Sequence, residues 1–373
     1  MYETVFNFEG LVRELFTRNL EGMEVLDIPK GIKDDDRGRS YGADLFIYHE
    51  GKLKSAVEIK YYRGVSSQLR MLRNASYNFG RTLPNIPSGS KVIVTFSQIN
   101  DIERKSLTDE FNFAYIDRID LVRIALPYPD LLERMVEMFS IDRESMEELN
   151  KIENKRGSGS YSKLKDIITS EPPKKPDTIK NKKTSKATEK QREQAEQAIQ
   201  LRDDLINITP GKGGWLKYEK KCTEILKFLF EIELDGWFDQ QTTDDKLNRY
   251  DTVCRIKSKE SVWGFITSQL HSQYIVFEFK NYSKKITPMQ ILTTEKYLFE
   301  NALRKVAIII SRKGPSSEAL KMRDGAMRDS GKMILTLKDD DLVNMMEDMV
   351  SGTRSPSDYL YNLVDDMLLK LSR

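Results

Sequence analysis

The sequence predicts an α/β protein built twice over, as two domains that each cover a β-sheet with helices. Three observations predict it. Two short apolar strands carry Glu-x-Lys, at Ala56-Val-Glu-Ile-Lys60 and at Gln273-Tyr-Ile-Val-Phe-Glu-Phe-Lys280. Each follows an amphipathic helix and an isolated Asp, and each precedes a strand apolar on both faces. Between the two series the composition turns to Lys, Ser, Thr and Pro. We therefore read residues 1–150 as an N-terminal domain, 151–205 as a basic flexible linker and helix, and 206–373 as a C-terminal domain.

Residues 5–20 place Leu11, Leu15, Phe16 and Leu20 at helical spacing, and residues 217–230 read the same way. Phe8-Glu9 is followed five positions on by Glu14-Leu15, and Tyr218-Glu219 by Glu224-Ile225. This shared offset argues for a repeat. Gly42-Ala-Asp44 then opens the run Leu45 to Tyr48, and Arg249-Tyr-Asp251 stands where a strand would begin. Next come the Glu-x-Lys strands. Because successive strand side chains alternate faces, Glu58 and Lys60 share one face, and Glu278 and Lys280 share another. An acid and a base on an apolar strand are costly to bury unless something uses them, and a cation or a phosphate would. An edge strand with its ion pair in water is the plainer alternative.

A helix bearing Gln follows each strand, with Gln68 in the first copy and Gln290 in the second, where Thr287 suits an N-cap and Pro288 the first helical position. The runs Lys91 to Ser97 and Lys305 to Ser311 read as inner strands. Ala114 to Val122 and Ile334 to Val343 each read as a short strand, an acidic turn and an Asp-Leu-Val helix start. Residues 151–190 suit either a strap along phosphates or a solvated tether. Residues 186–207 read as helix, and Gly211-Lys-Gly-Gly214 reads as a hinge, since it lacks the Lys-Ser/Thr ending of a phosphate-binding loop. A last amphipathic helix, Tyr359 to Leu371, is expected to pack on its own domain.

Composition narrows the chemistry. Of 373 residues, 39% are hydrophobic and 32% charged, which suits two globular cores. No apolar run is long enough to span a membrane, and with no signal peptide visible the expected location is the cytoplasm. Cys222 and Cys254 are the only cysteines, which excludes a disulfide framework and a zinc quartet. With His49 and His271 the only histidines, His-dependent nuclease chemistry is excluded as well.

Asp followed by Glu-x-Lys on consecutive strands resembles the PD-(D/E)XK nuclease superfamily, and the second copy is similar to Mrr-type restriction endonuclease domains. The superfamily's Pro before the Asp is replaced by Ala43 and Tyr250, at a position that varies among its members. The resemblance implies two restriction-endonuclease-like domains, each a central mixed β-sheet flanked by helices. It implies a Mg²⁺-dependent (or Mn²⁺-dependent) DNA endonuclease in restriction or anti-phage defence. Asp44, Glu58, Lys60, Asp251, Glu278 and Lys280 would be catalytic. The four acids among them would hold the metal, with Glu9 and Glu219 as further candidate ligands. Gln68, Gln290, Arg249, Asn281, Tyr282, Lys284 and Lys285 would support the sites or contact nucleic acid, and Tyr61, Tyr62 and Arg63 follow the first site in the same way. The alternative is a non-cleaving nuclease-fold module that binds or senses nucleic acid or assembles with a partner defence protein. RNA is a lesser substrate candidate, and both a monomer with two sites and a homo-oligomer remain open.

Overall fold

The computed structural model describes residues 2–30, 42–63, 69–87, 90–141, 164–169, 183–239 and 250–371. The chain divides into two compact units, Met1–Gln191 and Arg192–Arg373. The first contains α1 (Tyr2–Asn19), β1 (Glu24–Leu26), β2 (Leu45–His49), β3 (Lys52–Lys60), α2 (Leu69–Thr82), β4 (Lys91–Thr95), α3 (Asp101–Phe111), β5 (Ala114–Ile116), α4 (Arg118–Ala125), α5 (Pro129–Phe139) and α6 (Leu164–Thr169). Helix α7 (Lys183–Asn207) crosses the division. The second unit continues with α8 (Trp215–Leu229), β6 (Leu234–Asp239), β7 (Thr252–Ile256), α9 (Ser261–Gln269), β8 (Tyr274–Lys280), α10 (Pro288–Glu295), β9 (Val306–Ser311), α11 (Ser317–Ser330), β10 (Met333–Leu337), α12 (Asp339–Ser351) and α13 (Pro356–Leu369).

Each unit is the expected α/β architecture, a five-stranded mixed sheet flanked by helices. The sheets share one topology: β1-β2-β3-β4-β5, and β6-β7-β8-β9-β10 in the same sense. The first three strands of each run antiparallel, and the last two join in parallel. The Glu-x-Lys strands β3 and β8 are thus central, which removes the edge-strand alternative. Their neighbours β4 and β9 are buried along their whole length, as inner strands must be.

Local chemistry explains the joints. The turn from β2 to β3 is the pair Glu50-Gly51, both at positive φ (51° and 74°), the backbone that a tight hairpin requires. Both Asp-Leu-Val segments start helices as read. Asp120 accepts from the N–H of the α4 cap residue Asp117 at 3.1 Å, and Asp341 accepts from that of the α12 cap residue Lys338 at 2.8 Å. The first core stacks Phe8, Leu11, Leu15 and Phe16 of α1 on Val57, Ile59, Val92 and Val94. Each such burial contributes about 1.5–3 kcal/mol.

Three readings are corrected. Within the segment taken as a flexible tether, α6 is a helix whose Leu164 and Ile168, four residues apart, are buried in the first core. The second unit begins at Arg192, not 206, because Leu201 and Leu205 of α7 are buried and Lys221 of α8 holds Asp204 at 3.0 Å. Gly211–Gly214 is a clamped loop, not a hinge: the Asn281 amide donates to the carbonyls of Thr209 (3.0 Å) and Gly211 (3.1 Å), and Gly211 N–H returns a bond to Asn281 O at 2.7 Å. A Cβ at Gly214 would collide with the Thr209 carbonyl.

The second unit also carries a helix the sequence reading missed. Trp263 of α9 is fully buried, stands edge-on to Phe230 at 5.2 Å and donates from Nε1 to Ser357 Oγ of α13 at 2.8 Å. Helix α13 therefore packs on its own domain, through a partner inserted between β7 and β8. No helix among the described residues is long and apolar enough to cross a membrane.

Candidate functional site

The antiparallel register sets Asp251 opposite Glu278, because Thr252 pairs with Phe277. The Asp251 carboxylate turns back onto β8 and accepts the Phe279 N–H at 2.8 Å. Lys280 Nζ lies 2.6 Å from Glu278 Oε2 and 3.6 Å from Asp251 Oδ2. The first unit repeats this almost atom for atom. Leu45 pairs with Val57, Asp44 accepts the Ile59 N–H at 2.6 Å, and Lys60 Nζ is 2.6 Å from Glu58 Oε1. Each Asp and Glu-x-Lys set read from the sequence is therefore brought together at the middle of a sheet.

The two sites differ in electrostatics. Glu278 is only 4% exposed, and its Oε1 is buried with no hydrogen-bond partner. Burial raises its pKa; the opposing pull of Lys280 is too weak to cancel that, Asp251 adds to it, and the group is pushed up to about 7. Burial disfavours the Lys280 charge, but Glu278 and Asp251 outweigh it and hold the ammonium above its ordinary range. Glu58 is less buried. Its carboxyl and that of Asp44 are also raised by burial, which Lys60 opposes in both.

Glu9 of α1 belongs to the first group: burial, then the nearby Asp44, raise its pKa, and Lys60 lowers it. Glu14, the second acid of that helix, instead pairs with Arg18 and Arg134. Glu219 is buried on α8, one turn before Thr223, whose hydroxyl is 3.5 Å from that of Thr252 beside Asp251. Yet among the described residues no three or more Asp, Glu, His or Cys side chains cluster closely enough to hold a metal. Two carboxylates and a main-chain carbonyl with water suit Mg²⁺, and the unpartnered Glu278 Oε1 is an acceptor that a cation would satisfy.

The supporting residues divide. Tyr282 is 44% exposed, and Lys284 and Lys285 are exposed with it on the loop after β8. Asn281 is not free to read nucleic acid: its amide clamps the glycine loop, and its Oδ1 accepts from Arg312 Nε at 2.7 Å. Gln290 serves as a cap, its Oε1 accepting from Thr287 N–H and Oγ1, both at 2.9 Å. Gln68 and Arg249 lie outside the described residues. Tyr62 is fully buried and offers no face to a base, whereas Tyr61 is half-buried, with its ring 4.6 Å from that of Phe96.

Arg312 is a residue the sequence reading missed. It stacks 4.8 Å from the Tyr218 ring, pairs with Asp339 at 3.2 Å and ties Asn281 to the end of α7. Its only sequence signal is its place just after an inner strand. Tyr297, seven residues after Gln290, also stands near the second site: it packs edge-on to Tyr250 at 5.0 Å, and burial followed by the charge of Glu278 raises its pKa.

No family model matches the chain, and no characterised protein matches it in sequence. Among solved structures, it is similar to the restriction endonuclease FokI bound to DNA, with 13% identity and a TM-score of 0.31. That alignment covers 75% of this chain and 51% of the FokI chain.

Proposed function

We propose that this chain is a divalent-cation-dependent DNA endonuclease, with the Asp251, Glu278, Lys280 site as the stronger of two. One observation carries the reading: the same two carboxylates and lysine converge at the centre of both sheets, and in the second a carboxylate oxygen is buried unpaired. Buried acceptors without partners are rare, and a functional ligand is one explanation for them. Hydrolysis of a phosphodiester needs a positioned water, relief of the phosphate's growing charge, and help for the leaving oxygen. A Mg²⁺ or Mn²⁺ held by Asp251, Glu278 and a carbonyl of β8 would supply Lewis acidity for all three. Lys280 is placed to hold the attacking water or to stabilise the charge that develops on the phosphate. Tyr282, Lys284 and Lys285 would meet the backbone of the bound strand. Asp44, Glu58 and Lys60 form the second copy of this machinery.

The biological setting we propose is restriction of foreign DNA, with or without a partner protein. The alternative is a non-cleaving module that binds or senses nucleic acid or assembles with a partner defence protein. The deciding experiment incubates the purified chain with methylated and unmethylated plasmid, and with RNA, in Mg²⁺, Mn²⁺, Ca²⁺ or chelator. Cleavage of DNA in Mg²⁺ or Mn²⁺ alone is the expected outcome. Retained DNA binding with no cleavage under any condition would make the chain a binding module.

A further inference from the structure

The strand ladder brings one more polar group to the second site. Ser311 ends β9 and pairs with Lys280 in the parallel register, so its side chain stands on the Lys280 side of the sheet, one strand away. It is 0% exposed, and its Oγ has no hydrogen-bond partner. The first sheet answers this position differently. There Lys60 pairs with Thr95, whose hydroxyl is closed off by Ser97 Oγ at 3.0 Å and Ser97 N–H at 3.3 Å. So the second site holds two unsatisfied buried oxygens, Glu278 Oε1 on the strand of Lys280 and Ser311 Oγ on the neighbouring strand, and the ammonium has three protons to place.

We infer that Ser311 is a positioning residue: its hydroxyl takes the Lys280 ammonium when Glu278 and Asp251 turn to a divalent cation. This rests on the proposed function of the site. Lys280 now leans on Glu278 at 2.6 Å and Asp251 at 3.6 Å, the two groups a cation would engage. A lysine that loses both acceptors inside a protein must find another or leave for solvent. Strands lie about 4.8 Å apart, and the lysine stem is flexible enough to swing across that gap. Ser311 thus keeps Lys280 at the reacting phosphate in the loaded site. In the first site the corresponding Thr95 hydroxyl is already engaged by Ser97, whereas that of Ser311 has no partner.

The test compares the full chain with Ser311→Ala and Ser311→Thr. Without cation, Ser311→Ala should melt at the same temperature as wild type or about 2–4 °C higher, since it removes an unsatisfied buried hydroxyl. Lys280 labelling by an amine-reactive reagent is then followed by mass spectrometry with and without Ca²⁺. Wild type and Ser311→Thr should keep Lys280 protected in Ca²⁺, whereas Ser311→Ala should expose it several-fold. In Mg²⁺ the Ala variant should lose about tenfold or more in kcat, with KM for DNA unchanged, and Thr should restore it. If Ca²⁺ changes neither melting nor labelling in any form, the cation-site reading falls and the role of Ser311 falls with it. If wild type melts higher in Ca²⁺ and Ser311→Ala matches it in labelling and kcat, only the positioning role is overturned.

Discussion

At the scale of single residues, the second site is a balance of three charges in a dry environment, and each can be removed separately. Lys280→Ala should keep the fold and the cation-induced rise in melting temperature while lowering cleavage about 10²–10⁴-fold, the range for loss of a proton-transfer or charge-stabilising group. Asp251→Ala removes a proposed cation ligand and the acceptor of the Phe279 N–H together, so on the proposed function it should lose both the thermal response and cleavage. Calorimetric titration with Mn²⁺ beside a plasmid assay separates these outcomes. A second charged cluster is structural. Asp120 is buried, and burial, with Asp117 beside it, pushes its pKa up to about 6 against the pull of Arg104. The folded state therefore binds more protons here than the unfolded chain between about pH 4 and about pH 6. The stability from this group is present below that window and is lost as pH rises through it. Asp120→Asn keeps an acceptor for the Asp117 N–H without the charge, so the variant should gain in melting temperature over wild type as pH rises from 4 to 6. A gap that is flat with pH would show that Asp120 is ionised throughout.

At the scale of elements, what aims each site is the register of a central strand and the loop that follows it. The end of β8 is anchored through Asn281, which satisfies two carbonyls of the glycine loop and Arg312 together. Asn281→Ala leaves these groups unpaired and should cost the second domain about 1–3 kcal/mol, seen as an earlier denaturant midpoint with an unchanged slope. Cleavage should fall further than stability explains, because the loop carrying Tyr282, Lys284 and Lys285 starts there. If activity lost in proportion to the unfolded fraction is all that appears, the clamp serves folding alone. The α9–α13 pair is a separate module. Trp263→Ala empties a fully buried indole site and should cost about 3–5 kcal/mol without touching a site residue.

At the scale of the whole molecule, the chain is one topology used twice. A single carboxylate site cuts one strand at a time, so a double-strand break requires two. Products from supercoiled plasmid report how the copies share the work. If both cut, Lys60→Ala should shift products from linear towards nicked circles, and the double variant with Lys280→Ala should be inert. If Lys60→Ala weakens DNA binding but leaves the product ratio alone, the first domain is a clamp. Its closed Thr95 hydroxyl and more exposed Glu58 favour the second site as the faster. Limited proteolysis should leave two stable fragments with cuts between them in 151–190, outside the α6 residues buried in the first core.

The repeat, the strand positions and both Asp and Glu-x-Lys sets were legible in the linear chain, because alternation and helical spacing are local and the charged residues break an otherwise apolar pattern. Helix α9 was not legible, since Trp263, Phe265 and Ile266 give it no clean polar face and its burial depends on α13, about ninety residues later. Nor was the partner of Lys280. Matching Lys91 with Lys305 sets Ser311 against Ser97, whereas the strand ladders set it against Thr95, two residues away. The duty of Asn281 was equally out of reach, because an amide looks the same in sequence whether it meets a base or a loop. Periodicity alone thus set out two α/β units, each with a Glu and a Lys on one face of a strand, and the resemblance to a nuclease superfamily added the Asp of each set. Only tertiary structure decided which oxygens are left buried and unpaired, because desolvation depends on what packs around an atom and not on its neighbours in the chain.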